Sequence, residues 1–311
     1  MQSSSEVRHW YGFFLALTTA VMWGVLPVFL KLSLEKMDPV TITWYRFAVA
    51  AGFVLIVLWR NNALPRLSSL NKHHAGLLTI ASIGLIINYV LYLKGLDYLN
   101  PETAQVLIQL APFMVMLGGI YLYKEKFSRL EWLGAFLLFV GMLLFFNNRL
   151  DELLSSLNNY SLGVIMIVLA AITWAVYGLL QKRLLRQMGA KQITLVMYTA
   201  GVLALLPFSS LGTLTQLDSL QFWSLAFCCI NTIVGYGAFT EAMFVWHASK
   251  VSAVIALAPL VTIASMSLAL RIWPDHFVAS DINWIAYVGA GLVVTGSILA
   301  SAGKSRPGVK G

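Results

Sequence analysis

Charge is what this sequence has least of. Asp, Glu, Lys and Arg make up 11% of its 311 residues, against roughly 25% in soluble domains. No stretch is polar enough to fold as a separate soluble domain. Cysteine is nearly missing: the two residues, Cys228 and Cys229, are adjacent. Neighbours on a helix point about 100° apart, so these two are not expected to pair. They provide neither a disulfide framework nor a metal motif. Glycine-rich phosphate loops, HExxH and GxSxG are also missing, so ATP-driven pumping has no support. No cofactor and no metal is expected. The five histidines, His9, His73, His74, His247 and His276, are scattered among loops and span ends, which argues against the clustered acid–base set of a membrane enzyme. Nothing resembles a selectivity filter or a ring of charge, which argues against a passive channel. The first ten residues are polar and no cleavage site follows, so no signal peptide is expected.

Apolar residues dominate what is present: 59% of the chain, with a mean hydropathy of +0.78. A spanning helix needs about 20 mostly apolar residues. Ten stretches qualify or nearly so, at approximately 12–34, 40–60, 75–96, 102–123, 131–147, 162–185, 192–211, 222–244, 250–271 and 283–302. They do not alternate as barrel strands would. With ten spans and an inner N-terminus, 15 of the 21 Lys and Arg fall in inner segments and 5 in outer ones, with Arg46 inside a span. This is the positive-inside pattern. It accounts for the net charge of +8 through topology, and a nucleic-acid partner is not expected. The predicted location is the inner (plasma) membrane, multi-pass in lipid, with both termini cytoplasmic.

The chain also repeats itself. Gly12–Thr43 lies over Gly163–Thr194 without a gap, placing Trp23 on Trp174 and Lys31 on Lys182. LIQLAP at 107–112 lies over VIALAP at 254–259, and Gly134/Gly141 recur as Gly289/Gly296. Two repeats are predicted, 1–150 with helices 1–5 and 151–311 with helices 6–10, separated by the polar connection at 147–161. Five spans per repeat is an odd number, so the second enters the membrane inverted. The predicted fold is all-α and integral to the membrane: ten transmembrane helices in two inverted five-helix repeats. Such a pair places substrate between its halves and supports alternating access.

Polar groups within a bilayer are costly and call for a reason. In the fourth span Glu102, Gln105, Gln109 and Pro112 share a helix face, matched in the ninth by Ser249, Ser252, Ala256 and Pro259. Gln105 and Gln109 suit a cavity wall, or helix–helix bonding; Glu102 reads as a solvated helix start. Asn88 and Tyr92 share a face of the third span, and Asn231 and Gly235 share one in the eighth. Tyr89 falls on Tyr236, both mid-span. Trp23 and Trp174 also lie mid-span, away from the interface that Trp favours, and suit either stacking on a flat or cationic substrate or core packing. Tyr45 and Tyr177, beside Arg46 and Trp174, complete the predicted substrate-binding set. Three charges inside spans are coupling or gating candidates: Arg46, which can hold a carboxylate or phosphate or lock helices, and Lys94 and Glu241, at matching positions in the two halves. Glu241 suits a proton relay or a wetted mouth. Pro27, Pro112 and Pro259 are bend points or tolerated kinks.

The sequence resembles the EamA family of the drug/metabolite transporter superfamily over nearly its whole length. The marks are AVMWGVLPVFLK at 20–31, WYRFAVAAG at 44–52, LAP at 110–112, LYKEKFSRLEWLGAFLLFVG at 122–141, the Trp174 segment, Ala258–Pro259 and GAGLVVTG at 289–296. Lys124 stands where the family usually has Gly before Glu125. The second half lacks that Gly-Glu turn at 271–281, and has Met197 where the first has Arg46. The resemblance implies a ten-helix inverted-repeat carrier of small metabolites, and a structural or gating role for Arg46. The function expected is secondary transport of a small metabolite, an amino acid or related compound, in the export direction and with possible proton coupling. Facilitated diffusion or drug/metabolite efflux without proton coupling stands as the alternative, and a membrane enzyme ranks behind both.

Overall fold

The computed structural model describes residues 2–65, 70–123, 128–149, 158–246, 248–280 and 282–302. Among these there is no strand. The helices are α1 (Gln2–Leu34), α2 (Pro39–Arg60), α3 (Lys72–Tyr98), α4 (Pro101–Leu107), α5 (Leu110–Tyr123), α6 (Arg129–Phe145), α7 (Asn159–Leu184), α8 (Ala190–Leu205), α9 (Ser219–Val245), α10 (Ala248–Ile255), α11 (Ala258–Ile272) and α12 (Trp284–Ala302). Two short 3-10 turns, Leu206–Phe208 and Leu211–Gln216, follow α8; Pro207 stops that helix before the predicted end of its span. The predicted turn at Lys124–Glu125 and most of the connection at 147–161 lie outside the described residues.

Local chemistry sets the helix starts. Asp38, Asn71, Asn100, Asn158 and Asp218 accept backbone N–H bonds at the first turns of α2, α3, α4, α7 and α9. Ser128 and Glu131 close a capping box on α6, satisfying two of the N–H groups that a helix start leaves without intrahelical partners. The C-terminus of α3 is capped from another helix. Lys31 Nζ donates to the carbonyls of Leu96 (2.9 Å), Asp97 (2.6 Å) and Leu99 (3.0 Å), where a cation also meets the negative end of the helix dipole.

Among the described residues, seven helical stretches are long and apolar enough to cross a membrane by length and composition. Of the ten predicted spans, the fifth is the 17-residue α6 and the tenth is a shorter apolar helix. The fourth is broken between α4 and α5, and the ninth between α10 and α11. Both breaks have the same cause. Proline has no N–H for the carbonyl four residues back, and its ring crowds that carbonyl. Pro112 thus frees Ile108, and Pro259 frees Ile255. The chain tightens there instead: Ala111 N donates to Ile108 O (2.9 Å), and Leu257 N to Val254 O (3.1 Å).

The helices pack in reciprocal pairs. α1 lies along α9, α3 along α7, α2 against α8, and α6 against α12. α5 packs on α7 as α11 packs on α1. The α6–α12 contact is backbone on backbone: a methyl added at Gly141 would lie 2.6 Å from the Val293 nitrogen and 2.7 Å from the Gly289 oxygen. Such approaches, made by small residues, are typical of helix pairs in lipid. One apolar core gathers Leu30, Ile42, Leu93, Leu138, Ile167 and Val293; a second gathers Phe47, Tyr89, Tyr177, Met197 and Tyr198. Outward faces carry exposed Phe14, Phe53, Ile80, Phe136, Leu203 and Phe244, with Trp10, Trp59, Trp132, Trp223 and Trp284 near helix ends. An apolar surface with Trp toward its rims is that of a protein embedded in lipid.

Candidate substrate cavity

Between the helix pairs lies a cavity of about 390 Å³, in the range of small-molecule sites. Both broken segments reach it: Gln105, Ile108, Gln109 and Ala111 from the first, Ser252, Ile255, Ala256 and Ala258 from the second. The breaks face each other, and Gln109 Nε2 donates across to the carbonyl of Ala256 at 3.5 Å. Gln105 Oε1 accepts from the Tyr92 hydroxyl at 3.4 Å. Both contacts are long, so a competing ligand can displace these amides at small cost. Asn88 is committed more firmly. Its amide donates to the carbonyl of Ala170 at 2.8 Å, tying α3 to α7.

Aromatic rings build much of the wall. The Trp23 ring lies 5.1 Å from Tyr236 and 5.5 Å from Phe239. Trp174, Tyr89, Tyr92 and Phe113 also face the space. α1 comes close to the second break because Gly24 carries no side chain there: a methyl would meet the Val261 side chain at 2.6 Å and the Ala258 carbonyl at 2.8 Å. Thr262 Oγ1 donates to the Gly24 carbonyl at 2.6 Å and fixes the approach.

Among the described residues, one charged side chain lines the cavity. Arg46 is 3% exposed; its Nε donates to Thr232 Oγ1 at 3.0 Å, and its guanidinium lies 4.7 Å from the centre of the Tyr89 ring. Met197, its counterpart in the second half, is buried in the core and adds no charge.

Of the predicted site residues, the cavity brings together Trp23, Arg46, Asn88, Tyr89, Gln105, Gln109, Trp174 and Tyr236. Four lie elsewhere. The Tyr45 hydroxyl donates to the Leu211 carbonyl at 2.9 Å. Tyr177 is packed in the second core. Lys94 and Glu241 are exposed, and Glu241 is four residues from the end of α9. Glu102 also differs from expectation: it is 5% exposed rather than solvated, and its carboxylate accepts from Ser280 Oγ at 3.0 Å. Phe113, Phe239, Ser297 and Ala300 line the cavity without having been singled out from the sequence. Phe239 follows Tyr236 by three residues on one helix, a spacing that signals a shared face.

The end of the bundle where α4 meets α11 is closed by polar contacts. Asn283 Nδ2 donates to Asn147 Oδ1 and Asn148 Oδ1, both at 2.9 Å. Gln221 Nε2 donates to Glu35 at 2.9 Å, and Glu35 also pairs with His276 at 3.0 Å. Together with Glu102–Ser280 these contacts join the ends of α1, α4, α6, α9, α11 and α12.

The EamA-like transporter family matches the chain twice, over residues 10–147 and 161–302. The chain belongs to that family. Among its relatives, an uncharacterized transporter of Haemophilus influenzae is 40% identical over 292 residues, 94% of this chain and 95% of that one. The uncharacterized inner membrane transporter YhbE of Escherichia coli is 41% identical over 293 residues, covering 94% and 91%. More distantly, a protein of Escherichia coli named "Probable amino-acid metabolite efflux pump" is 22% identical over 91% of this chain and 92% of its own. A solved crystal structure shares the fold, with a TM-score of 0.63 and 15% identity over 93% of this chain and 96% of that one. This EamA protein is therefore a multi-pass integral membrane protein of a transporter family.

Proposed function

We propose that this EamA protein is a secondary transporter that moves a small metabolite across the inner membrane by alternating access, with the central cavity as its substrate site. One observation carries the reading: two proline-broken segments, one from each half, meet at a cavity walled by aromatic rings and amides. Discontinuous helices at the interface of paired halves are where secondary transporters bind substrate. The halves are residues 1–150 and 151–311, in inverted orientation. The family match to each half and the exchange of packing partners, α1–α9 for α3–α7, support this. Counting the ten-span path with both termini cytoplasmic, the polar closure lies on the outer side. The wall residues Ser252, Ser297 and Ala300 lie toward the inner side, so the state described is open inward. An amino acid or related compound, in the export direction, is the cargo favoured by analogy with the distant efflux relative.

Proton coupling falls better to Glu102 than to Glu241. Glu102 is buried on the α4 face that carries Gln105 and Gln109, whereas Glu241 is exposed. Glu131, the other buried acid among the described residues, is held in its capping box.

The test is flux of a radiolabelled panel of amino acids and organic acids into proteoliposomes. Saturable uptake, accelerated by unlabelled compound on the far side and lost in Gln109→Leu at normal protein yield, is expected. Absence of saturable flux, or flux unchanged in Gln109→Leu, would refute the site. Loss of activity only in proportion to lost protein would assign Gln109 to packing.

A further inference from the structure

The lining of the cavity is apolar and aromatic except for a few amides, hydroxyls and one cation. That cation is buried, and no counter-charge meets it among the described residues. Arg46 spends its Nε on the Thr232 hydroxyl and one face on the Tyr89 ring. No Asp or Glu pairs with it among the described residues, and no Asp, Glu, Lys or His shares the cavity wall. Its two Nη groups therefore present a planar fork of donors to the cavity with no protein acceptor among the described residues. A guanidinium removed from water is costly unless an anion or several acceptors meet it. A planar fork matches the two oxygens of a carboxylate.

The remaining terms narrow the choice. Each helix break presents both a C-terminal and an N-terminal end to the cavity, so their dipoles largely offset and Arg46 sets the sign of the field. A single cation balances a single negative charge. A dianionic phosphate would keep one charge uncompensated against an otherwise apolar lining. A free ammonium would find aromatic faces but no carboxylate, and it would be repelled by Arg46. The charge comes from one half only, because Met197 occupies the corresponding place in the other. The rings that share the lining, Trp23, Trp174, Tyr236 and Phe239, suit a flat or apolar body.

We infer that the substrate is an organic monocarboxylate with an apolar or aromatic body and no free ammonium group, its carboxylate held by Arg46. This rests on the cavity being the transport site. Within the amino-acid-related class it favours acids whose amine is absent or acylated over free amino acids and over cationic amines.

The test uses three molecules of one shape and three charges: 3-phenylpropanoate, L-phenylalanine and 2-phenylethylamine. Each is titrated calorimetrically into the purified full-length protein in detergent. The expected order is 3-phenylpropanoate first, tighter than the amine by at least about tenfold, with the zwitterion between. Arg46→Lys keeps the order with weaker binding, because the charge remains and the fork is lost. Arg46→Gln erases it. The ranking in the parent protein stands by itself if Arg46→Gln does not fold. Equal or tighter binding of the amine or the zwitterion overturns the inference. If that binding is weakened by Trp23→Ala, the cavity remains the site and only its charge selectivity is wrong. No saturable binding by any of the three also overturns the inference, while the panel flux decides separately whether the protein transports.

Discussion

Replacing Gly141 by alanine tests a tight joint of the fold. Gly141 on α6 faces Gly289 and Val293 on α12. An added methyl carbon would sit 2.6 Å from the Val293 nitrogen, 2.7 Å from the Gly289 oxygen and 2.9 Å from the Leu292 Cβ. Non-bonded carbon contacts are favourable near about 3.5–4.0 Å, so the helices must part by roughly 1 Å. No flexible side-chain tip is available to yield, since two of the three neighbours are backbone. Overpacking of this kind costs about 1–3 kcal/mol. The helix propensity gained by replacing glycine with alanine returns at most about 1 kcal/mol. The expected outcome is a lower midpoint of thermal unfolding in detergent, followed by tryptophan fluorescence. Gly52→Ala is the control, because nothing lies within 4 Å of that added methyl; it is expected to be neutral or slightly stabilising. The Gly141→Ala, Gly289→Ala double variant should cost less than the sum of the singles, because the first substitution already parts the shared contact. A Gly141→Ala midpoint equal to that of Gly52→Ala would refute the reasoning.

Two further outcomes follow from charged side chains. Lys31→Met leaves three carbonyls at the end of α3 without their shared donor; a loss of about 2 kcal/mol is expected as a lower detergent melting temperature, and an unchanged one would show that water replaces the cap. In proteoliposomes under an imposed pH gradient, Glu102→Gln is expected to abolish gradient-driven accumulation while keeping exchange, and Glu241→Gln to behave as the parent. The reverse pattern would return the coupling role to Glu241.

Much of this architecture was legible because membrane spans are written in composition, and composition does not depend on tertiary contacts. The helix breaks were only half legible. LIQLAP and VIALAP marked the prolines, but the interruptions fall two to four residues upstream, at Ile108–Gln109 and Ala256–Leu257. The stripe Gln105–Gln109 and the rings Trp23, Trp174, Tyr89 and Tyr236 were readable from helical spacing and mid-span depth. Tyr45 and Tyr177 show the limit of that argument. Each neighbours a cavity residue along its helix, yet the turn of the helix sends Tyr45 to the Leu211 carbonyl and Tyr177 into the core. Glu102 was misjudged because its cover, Ser280, comes from the other half of the chain, where helix-start rules carry no information. That no Asp or Glu among the described residues meets Arg46 needed both halves in place, since it is a property of the assembled wall.

The most direct test of alternating access is the accessibility of one wall residue from the two sides of the membrane. Ala256 sits at the second break, facing Gln109. With Cys228 and Cys229 replaced by alanine, Ala256→Cys is exposed to an impermeant maleimide in right-side-out and inside-out vesicles. The account predicts rapid labelling from the cytoplasmic side at rest, and labelling from the outer side that accelerates when a transported compound drives turnover. Labelling confined to one side under every condition, or equal from both sides regardless of substrate, would contradict it.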